Sequence, residues 1–281
     1  MTHSNLLVEL FVEELPPKAL QKLGDAFANV LREQLVAQGL AAPDAVLTAY
    51  ASPRRLAAHI VDVLAQAPDK AQSQKLMPVA VGLTADGQPT PALLKKLTAL
   101  GADASAVAGL KRVHDGKAEL LYYESQAQGV TLAQGLQKAL DEAIAKLPIP
   151  KVMRYQLQDG WTSVHFVRPA HGLVALHGST VVPVSALGLN AGNTTQGHRF
   201  EAAVQPVVIK DADGYAAQLR EQGAVIAGFG ERRAEIVRQL QAAAQRTGGG
   251  VRPIDDAALL DEVTALVERP NVLVCQFEQE F

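Results

Sequence analysis

The chain has 281 residues, of which 48% are hydrophobic and 20% are charged. This length predicts one large domain or roughly two smaller ones, and the composition argues against an intrinsically disordered chain or a coiled coil. The 26 lysines and arginines are outnumbered by 29 aspartates and glutamates, which gives a net charge of −3, so no overall basic field exists to hold nucleic acid non-specifically.

The first 64 residues predict one amphipathic helix packed on a sheet. Apolar residues from Leu20 to Val36 recur at spacings of three and four, and Gly39 supplies a C-terminal stop. Around this helix we expect strands at Leu6–Val12, Val46–Tyr50 and Leu56–Leu64, the last two joined by the turn Ser52-Pro53-Arg54-Arg55.

The middle of the chain predicts a long connection, a hairpin and two helices. Residues 65–88 are polar with scattered prolines, so we expect a connection there. The further elements are a helix near Pro91, a hairpin of Leu110–Val113 with Glu119–Tyr123 around Asp115-Gly116, and a helix at Leu132–Leu147. Pro148-Ile149-Pro150 disfavours helix and predicts a boundary between subdomains 1–148 and 149–281.

The second half predicts further strands and helices. Strands are expected at Gly172–Leu176 and Val181–Leu187, helices at Asp211–Glu221, Gly230–Arg246 and Ala257–Val267, and a last strand at Asn271–Phe277. The fold class that follows is α+β, with mixed sheets that contain antiparallel pairs and are covered by helices, in two subdomains.

Cysteine use and the N-terminal sequence predict a cytoplasmic protein. The single cysteine, Cys275, cannot form an internal disulfide. Glu9 and Glu13 interrupt the N-terminal apolar residues, which leaves no export signal. The longest stretch without formal charge, residues 169–198, contains a proline and several glycines, so we expect no membrane helix and no membrane partner.

Residues 146–200 form a locally basic segment. Its five cations, Lys146, Lys151, Arg154, Arg168 and Arg199, stand against one acidic residue, Asp159, for a local charge of +4. The aromatic residues Tyr155, Trp161, Phe166 and Phe200 lie among them. Phosphates bind Arg and Lys, and unpaired bases stack on aromatic or guanidinium planes, so this segment suits RNA. The alternative is a solvated basic face with core aromatics.

Three other motifs are less specific signals of a functional site. His165, His171 and His177 are spaced by six, a metal-site pattern that would serve a hydrolase, but Pro169 and glycines interrupt any common strand and no short ligand pair accompanies them. A glycine turn at 228–230 lacks the third glycine of a dinucleotide site and predicts a helix start. The Ser52–Arg55 turn is either a phosphate clamp or a surface turn in which one arginine caps a neighbour.

Five motifs follow one another in an order that resembles a known family. They are Glu13-Glu14-Leu15-Pro16, Ser52-Pro53-Arg54-Arg55-Leu56, Leu147-Pro148-Ile149-Pro150-Lys151-Val152-Met153-Arg154, Phe166-Val167-Arg168-Pro169-Ala170-His171 and Gly197-His198-Arg199-Phe200. Together they resemble the N-terminal part of the beta subunit of the bacterial heterotetrameric glycine-tRNA ligases. The resemblance extends from Leu6 to Leu266-Val267-Glu268.

The resemblance implies a fragment of a ligase subunit, since family members are much longer and carry later domains, including an anticodon-binding one. In that family the alpha subunit forms glycyl-adenylate from ATP, with magnesium, and the beta subunit serves tRNA recognition and charging. The expected partners are an alpha subunit, tRNA-Gly and a second beta subunit. This chain itself is expected to hold no cofactor, no metal and no catalytic residue.

Four positions depart from the family pattern: Tyr155 in place of a tryptophan, Gly172 in place of an aromatic residue, Gln196 in place of an arginine and Arg269 in place of a tyrosine. A missing cation weakens any phosphate contact proposed at its position. The departures therefore bear on the contacts of the basic segment.

The candidate contacts with tRNA or another subunit are Arg54, Arg55, Lys151, Arg154, Arg168, His198 and Arg199. None of them is expected to act as a general acid or base. The alternative is a docking scaffold without direct tRNA contact, in which the arginines form internal ion pairs that hold turns. Burial of Arg154 and Arg168 against carboxylates would favour that alternative.

Overall fold

The computed structural model describes residues 2–116 and 118–276. The chain divides into two compact units, one made of Met1–Ala67 with Val130–Phe281 and the other of Pro68–Gly129. The second unit is therefore an insertion into the first.

The elements are numbered in chain order. The strands are β1 His3–Val12, β2 Leu47–Ser52, β3 Arg55–Leu64, β4 Lys70–Pro78, β5 Lys111–His114, β6 Glu119–Ala127, β7 Met153–Gln156, β8 Ser163–Phe166, β9 Ala170–His177, β10 Thr180–Val181, β11 Ser185–Ala186, β12 Leu189–Asn190, β13 Thr194–Thr195 and β14 Val207–Val208. The α-helices are α1 Leu20–Gln38, α2 Val79–Gly82, α3 Pro91–Ala99, α4 Leu132–Ala145, α5 Tyr215–Glu221, α6 Phe229–Thr247 and α7 Ala257–Thr264. Two short 3₁₀ helices cover Pro17–Ala19 and Ala104–Gly109.

The larger unit is organised around a five-stranded sheet with the strand order β10-β9-β1-β3-β2. Its long pairs, β1 with β3, β1 with β9 and β2 with β3, are antiparallel. The central strand β1 is buried from Leu6 onward, because it is covered on both faces. The mixed α+β class predicted from the sequence is confirmed.

The two faces of β1 belong to two different cores. Val8 and Leu10 lie in the core that contains α1 and α4. Leu7 lies in a second core with Val174 and the α5 residue Tyr215. Since side chains alternate along a strand, Glu9 is on the same face as Leu7, and a carboxylate therefore lies inside an apolar layer.

Helix α1 is the amphipathic helix that the sequence predicts. It buries one stripe, which includes Leu23, Phe27 and Leu31, against the sheet. Gly39 ends it with φ of 77°, a left-handed conformation that glycine adopts without steric cost. Helix α4 begins with a capping box formed by Thr131 and Gln134 and packs on α1.

The inserted unit has its own three-stranded sheet and small core. Its strand order is β4-β6-β5, and Leu93, Leu97 and Leu121 are buried there. The predicted hairpin is confirmed as β5 paired with β6. The prediction of a long connection at residues 65–88 is wrong, because β4 pairs along most of β6. The largely polar sequence of β4 lacks the apolar alternation that identifies a strand.

The division of the chain differs from the boundary predicted at Pro148-Ile149-Pro150. Residues on both sides of it share one core, since β9 pairs with β1 and α4 packs on α1. The prolines therefore end α4 without separating two domains. The chain instead enters the second unit after Ala67 and returns to the first unit after Gly129.

Three further elements differ from the sequence prediction. The strand expected at Val181–Leu187 is divided into β10 and β11, which lie on either side of Pro183, a residue with no N–H to donate. The segment 271–276 forms no strand, and Phe277 lies outside the described residues. Helix α5 begins at Tyr215, four residues later than expected.

In the described part of the chain, no helix is both long enough and apolar enough to cross a membrane.

Replacing Gly24 by alanine should destabilise the protein, because α1 approaches β2 closely at this glycine. A Cβ atom at Gly24 would lie 2.6 Å from the Cβ atom of Ala51. We expect the free energy of unfolding to fall by about 1–3 kcal/mol in urea denaturation, as for other overpacked cores.

Gly230→Ala in α6 is the matched control, since a Cβ there meets nothing within 4 Å. Alanine in a helix should raise the free energy of unfolding by up to about 1 kcal/mol. Equal effects of the two substitutions would contradict the close approach of α1 to β2.

Candidate functional site

Segments that are far apart in the sequence meet at a cleft beside the end of β1. The cleft has a volume of about 440 Å³, and its lining includes Glu13, Glu14, Pro53, Arg168, Arg199 and Leu266. A smaller cleft of about 190 Å³ shares Glu13 and Arg199 and reaches Arg54. We call these two together the motif cleft, because four of the five sequence motifs contribute residues to it.

Backbone hydrogen bonds hold the end of β1 between two of these motifs. The Val12 N–H donates to the Arg54 carbonyl at 2.8 Å, and the Leu15 N–H donates to the Pro53 carbonyl at 2.7 Å. The Glu13 N–H donates to the Pro169 carbonyl at 2.9 Å. The motif cleft is therefore built on a fixed backbone.

A buried ion cluster underlies the cleft and centres on Glu268, which follows α7. Arg54 Nη2 lies 2.8 Å from Glu268 Oε2, and Arg55 Nη1 lies 3.0 Å from Glu268 Oε1. Both guanidinium groups also bind carbonyl oxygens, Arg54 that of Gly197 at 2.8 Å and Arg55 that of Gln196 at 2.6 Å. The two arginines thus tie the β2–β3 turn both to Glu268 and to residues 196–197.

Arg55 is fully buried and has a second carboxylate beside it. Its Nε lies 3.5 Å from Glu9 Oε2, and the hydroxyl of Tyr215 donates to the same Glu9 oxygen. Burial alone lowers the pKa of Arg55, but the charges of Glu268 and Glu9 more than compensate, so its pKa is raised. Burial and the neighbouring Glu9 carboxylate hold the pKa of Tyr215 well above its ordinary value.

The carboxyl group of Glu268 is held in its charged form. Burial raises its pKa, while Arg55 and Arg54 lower it, and the net effect is a pKa below the ordinary carboxyl value. Two atoms in the cluster, Glu9 Oε1 and Arg55 Nε, are buried and form no hydrogen bond with any residue that the structure describes. The cluster therefore depends on charge matching as well as on hydrogen bonds.

A third buried arginine, Arg232 of α6, was not singled out from the sequence. Its guanidinium group donates to the carbonyl oxygens of Thr264 at 2.9 Å, Ile226 at 2.7 Å and Ala51 at 2.9 Å. Burial lowers its pKa to about 10. Its position three residues after Phe229 and four before Ile236, all on the buried face of α6, is the signal that could have revealed it.

The structure does not present the arginines of the Ser52–Arg55 turn to solvent. Arg55 is fully buried and Arg54 is 8% exposed, and the bonds above occupy both guanidinium groups. Their geometry is that of the alternative interpretation, internal ion pairs that hold a turn. A phosphate clamp at this turn would need both arginines to leave Glu268.

Arg154 and Arg168 have no carboxylate partner in the described part of the chain. Arg154 is exposed on β7 and donates from Nε and Nη2 to Ser163 Oγ, at 3.1 and 3.0 Å. Arg168 is half-buried and donates to the carbonyl oxygens of Glu14 at 2.9 Å and Val167 at 3.0 Å. The burial against carboxylates that would mark them as internal ion pairs is therefore not observed.

Lys151 and Arg199 are exposed and make neither a hydrogen bond nor an ion pair with the described residues. His198 differs from them, because its Nδ1 accepts from the N–H groups of Phe200 at 3.3 Å and Glu201 at 3.2 Å. This histidine holds its own turn, which positions Arg199 at the motif cleft.

The three histidines spaced by six are not brought together. His165 is on β8, while His171 and His177 are on β9. His171 Nε2 lies 3.0 Å from Glu13 Oε1, and His177 Nε2 lies 2.7 Å from the Val63 carbonyl oxygen. Across residues 2–116 and 118–276, no group of three His, Cys, Asp or Glu side chains could hold a metal ion. The turn at Pro169 separates His165 from the other two, and His171 and His177 contact different partners, so the three do not form a common site.

The structure shows which contacts are made at the four positions that depart from the family pattern. The Tyr155 hydroxyl accepts from the Ala170 N–H at 3.2 Å, and Arg269 pairs with Glu201 at 3.0 Å. Gln196 binds Arg55 through its carbonyl oxygen, which any residue there could provide. A Cβ at Gly172 would lie 3.4 Å from the Cβ of Phe11.

Comparisons with known proteins agree on one family. The family model described as glycyl-tRNA synthetase beta subunit matches residues 6–281. The chain is similar to curated proteins named glycine--tRNA ligase beta subunit: 80% identical over 282 residues in Acidovorax sp. (strain JS42), 77% over 283 in Delftia acidovorans and 70% over 281 in Leptothrix cholodnii. Each match covers 100% of this chain and 39%, 40% and 39% of the respective relative.

Glu268→Gln should destabilise the protein strongly, because it leaves Arg54 and Arg55 buried with less opposing charge. We expect the free energy of unfolding at pH 7 to fall by about 3 kcal/mol, the lower end for removing one partner of a buried pair. Urea denaturation measures this. Glu201→Gln, which removes the exposed pair with Arg269, is the control and should cost less than about 1 kcal/mol.

The wild-type protein and Glu268→Gln should also differ in their response to acid. The folded-state pKa of Glu268 lies below its ordinary value of 4.5. The charged Glu268 therefore contributes its full stabilisation of the fold above pH 4.5, and this contribution is lost as the pH falls through the folded-state pKa. The gap in stability between wild type and Glu268→Gln should therefore narrow below about pH 4.5. Parallel stability curves from pH 7 to pH 3 would show that Glu268 is not a charged partner in the cluster.

Proposed function

The chain belongs to the glycyl-tRNA synthetase beta subunit family, and on this premise we propose that it acts in glycine-tRNA ligase by recognising tRNA-Gly and by assembling with the other subunits. Attachment of glycine would use ATP, with magnesium, through the adenylation site of the alpha subunit. The assembly would contain two alpha and two beta subunits in the cytoplasm. The chain spans about two fifths of the length of its curated relatives, and the isolated chain would be inactive.

The observation that carries this proposal is a set of available cations in the basic segment. Lys151, Arg154 and Arg199 are exposed, and none of them is neutralised by a carboxylate in the described part of the chain. The arginines of α6 provide the contrast, since Arg233 pairs with Asp261 at 2.6 Å and Arg238 with Glu235 at 2.7 Å. A cation without a carboxylate partner is free to bind a phosphate.

This arrangement suits local, salt-dependent binding to an RNA backbone. Each lysine or arginine that neutralises a phosphate releases condensed counterions, so the affinity falls as salt rises. The net charge of −3 disfavours binding over the rest of the surface, which would confine RNA to the basic segment. Arg168 would contribute at the edge of the motif cleft with its remaining donor capacity.

A second candidate function is subunit docking without direct tRNA contact. It is favoured by apolar side chains on and after α7, where Leu259, Leu266 and Leu273 are exposed. Exposed apolar patches commonly mark protein contacts. In this alternative, the motif cleft and its buried ion cluster would serve only to fix the surface that another part of the ligase covers.

The two candidates are separated by replacing the available cations one at a time. Lys151→Ala, Arg154→Ala and Arg199→Ala should each weaken tRNA-Gly binding. Each should also lower the slope of log affinity against log salt by about one for every phosphate that is no longer neutralised. The measurement is tRNA affinity of the ligase assembled from the full-length beta subunit and its alpha partner, over a range of salt concentrations.

Arg246→Ala is the matched control, because Arg246 is exposed near the end of α6, outside the basic segment. This variant should bind tRNA as wild type does. An unchanged affinity and slope for all three test variants would refute tRNA recognition by the basic segment and support the docking scaffold.

A further inference from the structure

Trp161 is the most solvent-exposed large aromatic side chain in the described part of the chain. It is 90% exposed, at the tip of the hairpin formed by β7 and β8, and it is the chain's single tryptophan. Other aromatic residues of this hairpin behave differently, since Phe166 is fully buried and Tyr155 is half-buried. The expectation of core aromatics thus holds for Phe166 and fails for Trp161 and for Phe200, which is 87% exposed.

The tip that carries Trp161 is held by a dense set of hydrogen bonds. Asp159 Oδ1 accepts from the N–H groups of Trp161 and Thr162, both at 2.9 Å, and Asp159 Oδ2 accepts from the Thr162 hydroxyl at 2.6 Å. The Leu157 N–H donates to the Thr162 carbonyl oxygen at 2.9 Å, which extends the β7–β8 ladder toward the tip. The backbone of Trp161 is therefore fixed while its ring remains in water.

The residues next to the ring at the tip are polar, and cations lie further back along the hairpin. Arg154 and His165 are opposite one another in the β7–β8 register, and Lys151 lies just before β7. The acidic residue of the tip, Asp159, uses its carboxylate for the Thr162 hydroxyl and for two backbone N–H groups, and these bonds lower its pKa. Gln158 and Thr162, on either side of the tip, are polar and exposed.

We propose that Trp161 is a stacking platform for an unpaired RNA base, with Arg154 and Lys151 binding phosphates of the same strand. This inference rests on the proposed function and specifies how the basic segment would contact tRNA. An exposed aromatic ring on the same hairpin as a cation without a carboxylate partner suits single-stranded RNA, which binds by stacking and by charge. A protein partner would be better served by apolar neighbours around the ring, and the tip provides polar ones.

A fixed ring also reduces the cost of binding. The Asp159 hydrogen bonds order the tip before RNA arrives, so a base stacks at a smaller cost in conformational entropy. Stacking on one aromatic side chain changes affinity by about 5- to 150-fold when that side chain is replaced by alanine. Because Trp161 is exposed, its replacement should leave the fold intact.

The test follows the fluorescence of Trp161 in the full 281-residue chain, whose one tryptophan makes the signal specific. Three probes are titrated at two salt concentrations: tRNA-Gly, a single-stranded RNA, and a blunt RNA duplex of similar charge. We expect tRNA-Gly and the single strand to quench Trp161, and the duplex to bind by charge without quenching, because its bases are already paired.

The affinity of substitution variants for tRNA-Gly is measured by the fluorescence anisotropy of the labelled tRNA. Trp161→Ala should weaken binding by about 5- to 150-fold, while Trp161→Phe should retain most of the affinity. Ile254→Ala, which removes a side chain that is 82% exposed outside the basic segment, should bind as wild type does.

Three results would overturn the inference in different ways. Salt-dependent tRNA binding with unchanged fluorescence, and equal affinity for Trp161→Ala, would refute stacking and leave tRNA recognition standing. Absence of tRNA binding at low salt would refute stacking and tRNA recognition by this region together. Quenching of Trp161 by the alpha subunit in the absence of RNA would assign the tip to a protein contact.

Discussion

The architecture around the motif cleft depends on neutralising one buried charge, that of Arg55. A guanidinium group without water around it is stable only when carboxylates and carbonyl oxygens replace its hydration. Glu268, Glu9 and the Gln196 carbonyl provide this replacement. They belong to segments at the end of the described chain, in the central strand and in the loop before His198. Satisfying Arg55 therefore requires these segments to meet, and the cleft forms where they do.

Arginines of the same chemistry differ in their availability to a ligand because their surroundings differ. Arg54 and Arg55 look like a phosphate clamp on a proline turn, but the residue that decides their role, Glu268, lies at a sequence separation of 213 from Arg55. No local pattern contains that information. Arg154 and Arg199 have the same side chain and no carboxylate in reach among the described residues, which leaves their charges for a ligand.

Elements with a local sequence signal were predictable, and features set only by distant pairing were not. The helix α1 and the β5–β6 hairpin follow from apolar spacing and from an Asp-Gly turn. Strand β4 has a polar sequence and exists because β6 offers its hydrogen-bonding edge. The boundary at Pro148-Ile149-Pro150 failed for a related reason, since the pairing of β9 with β1 places both sides of it in one sheet.

For the site, the composition could be predicted from the sequence, but the burial of individual side chains could not. The basic composition of residues 146–200 was visible in the sequence, but the burial that sorts its aromatic residues into Phe166 inside and Trp161 outside was not. The buried cluster stabilises the chain because its charges are already matched, and for that reason it has nothing left to offer an RNA. The hairpin tip has the opposite properties, a fixed backbone with a solvent-exposed ring, and Arg154 on the adjoining strand has no carboxylate partner among the described residues. The residues proposed to bind RNA are thus different from those that form the buried ion cluster.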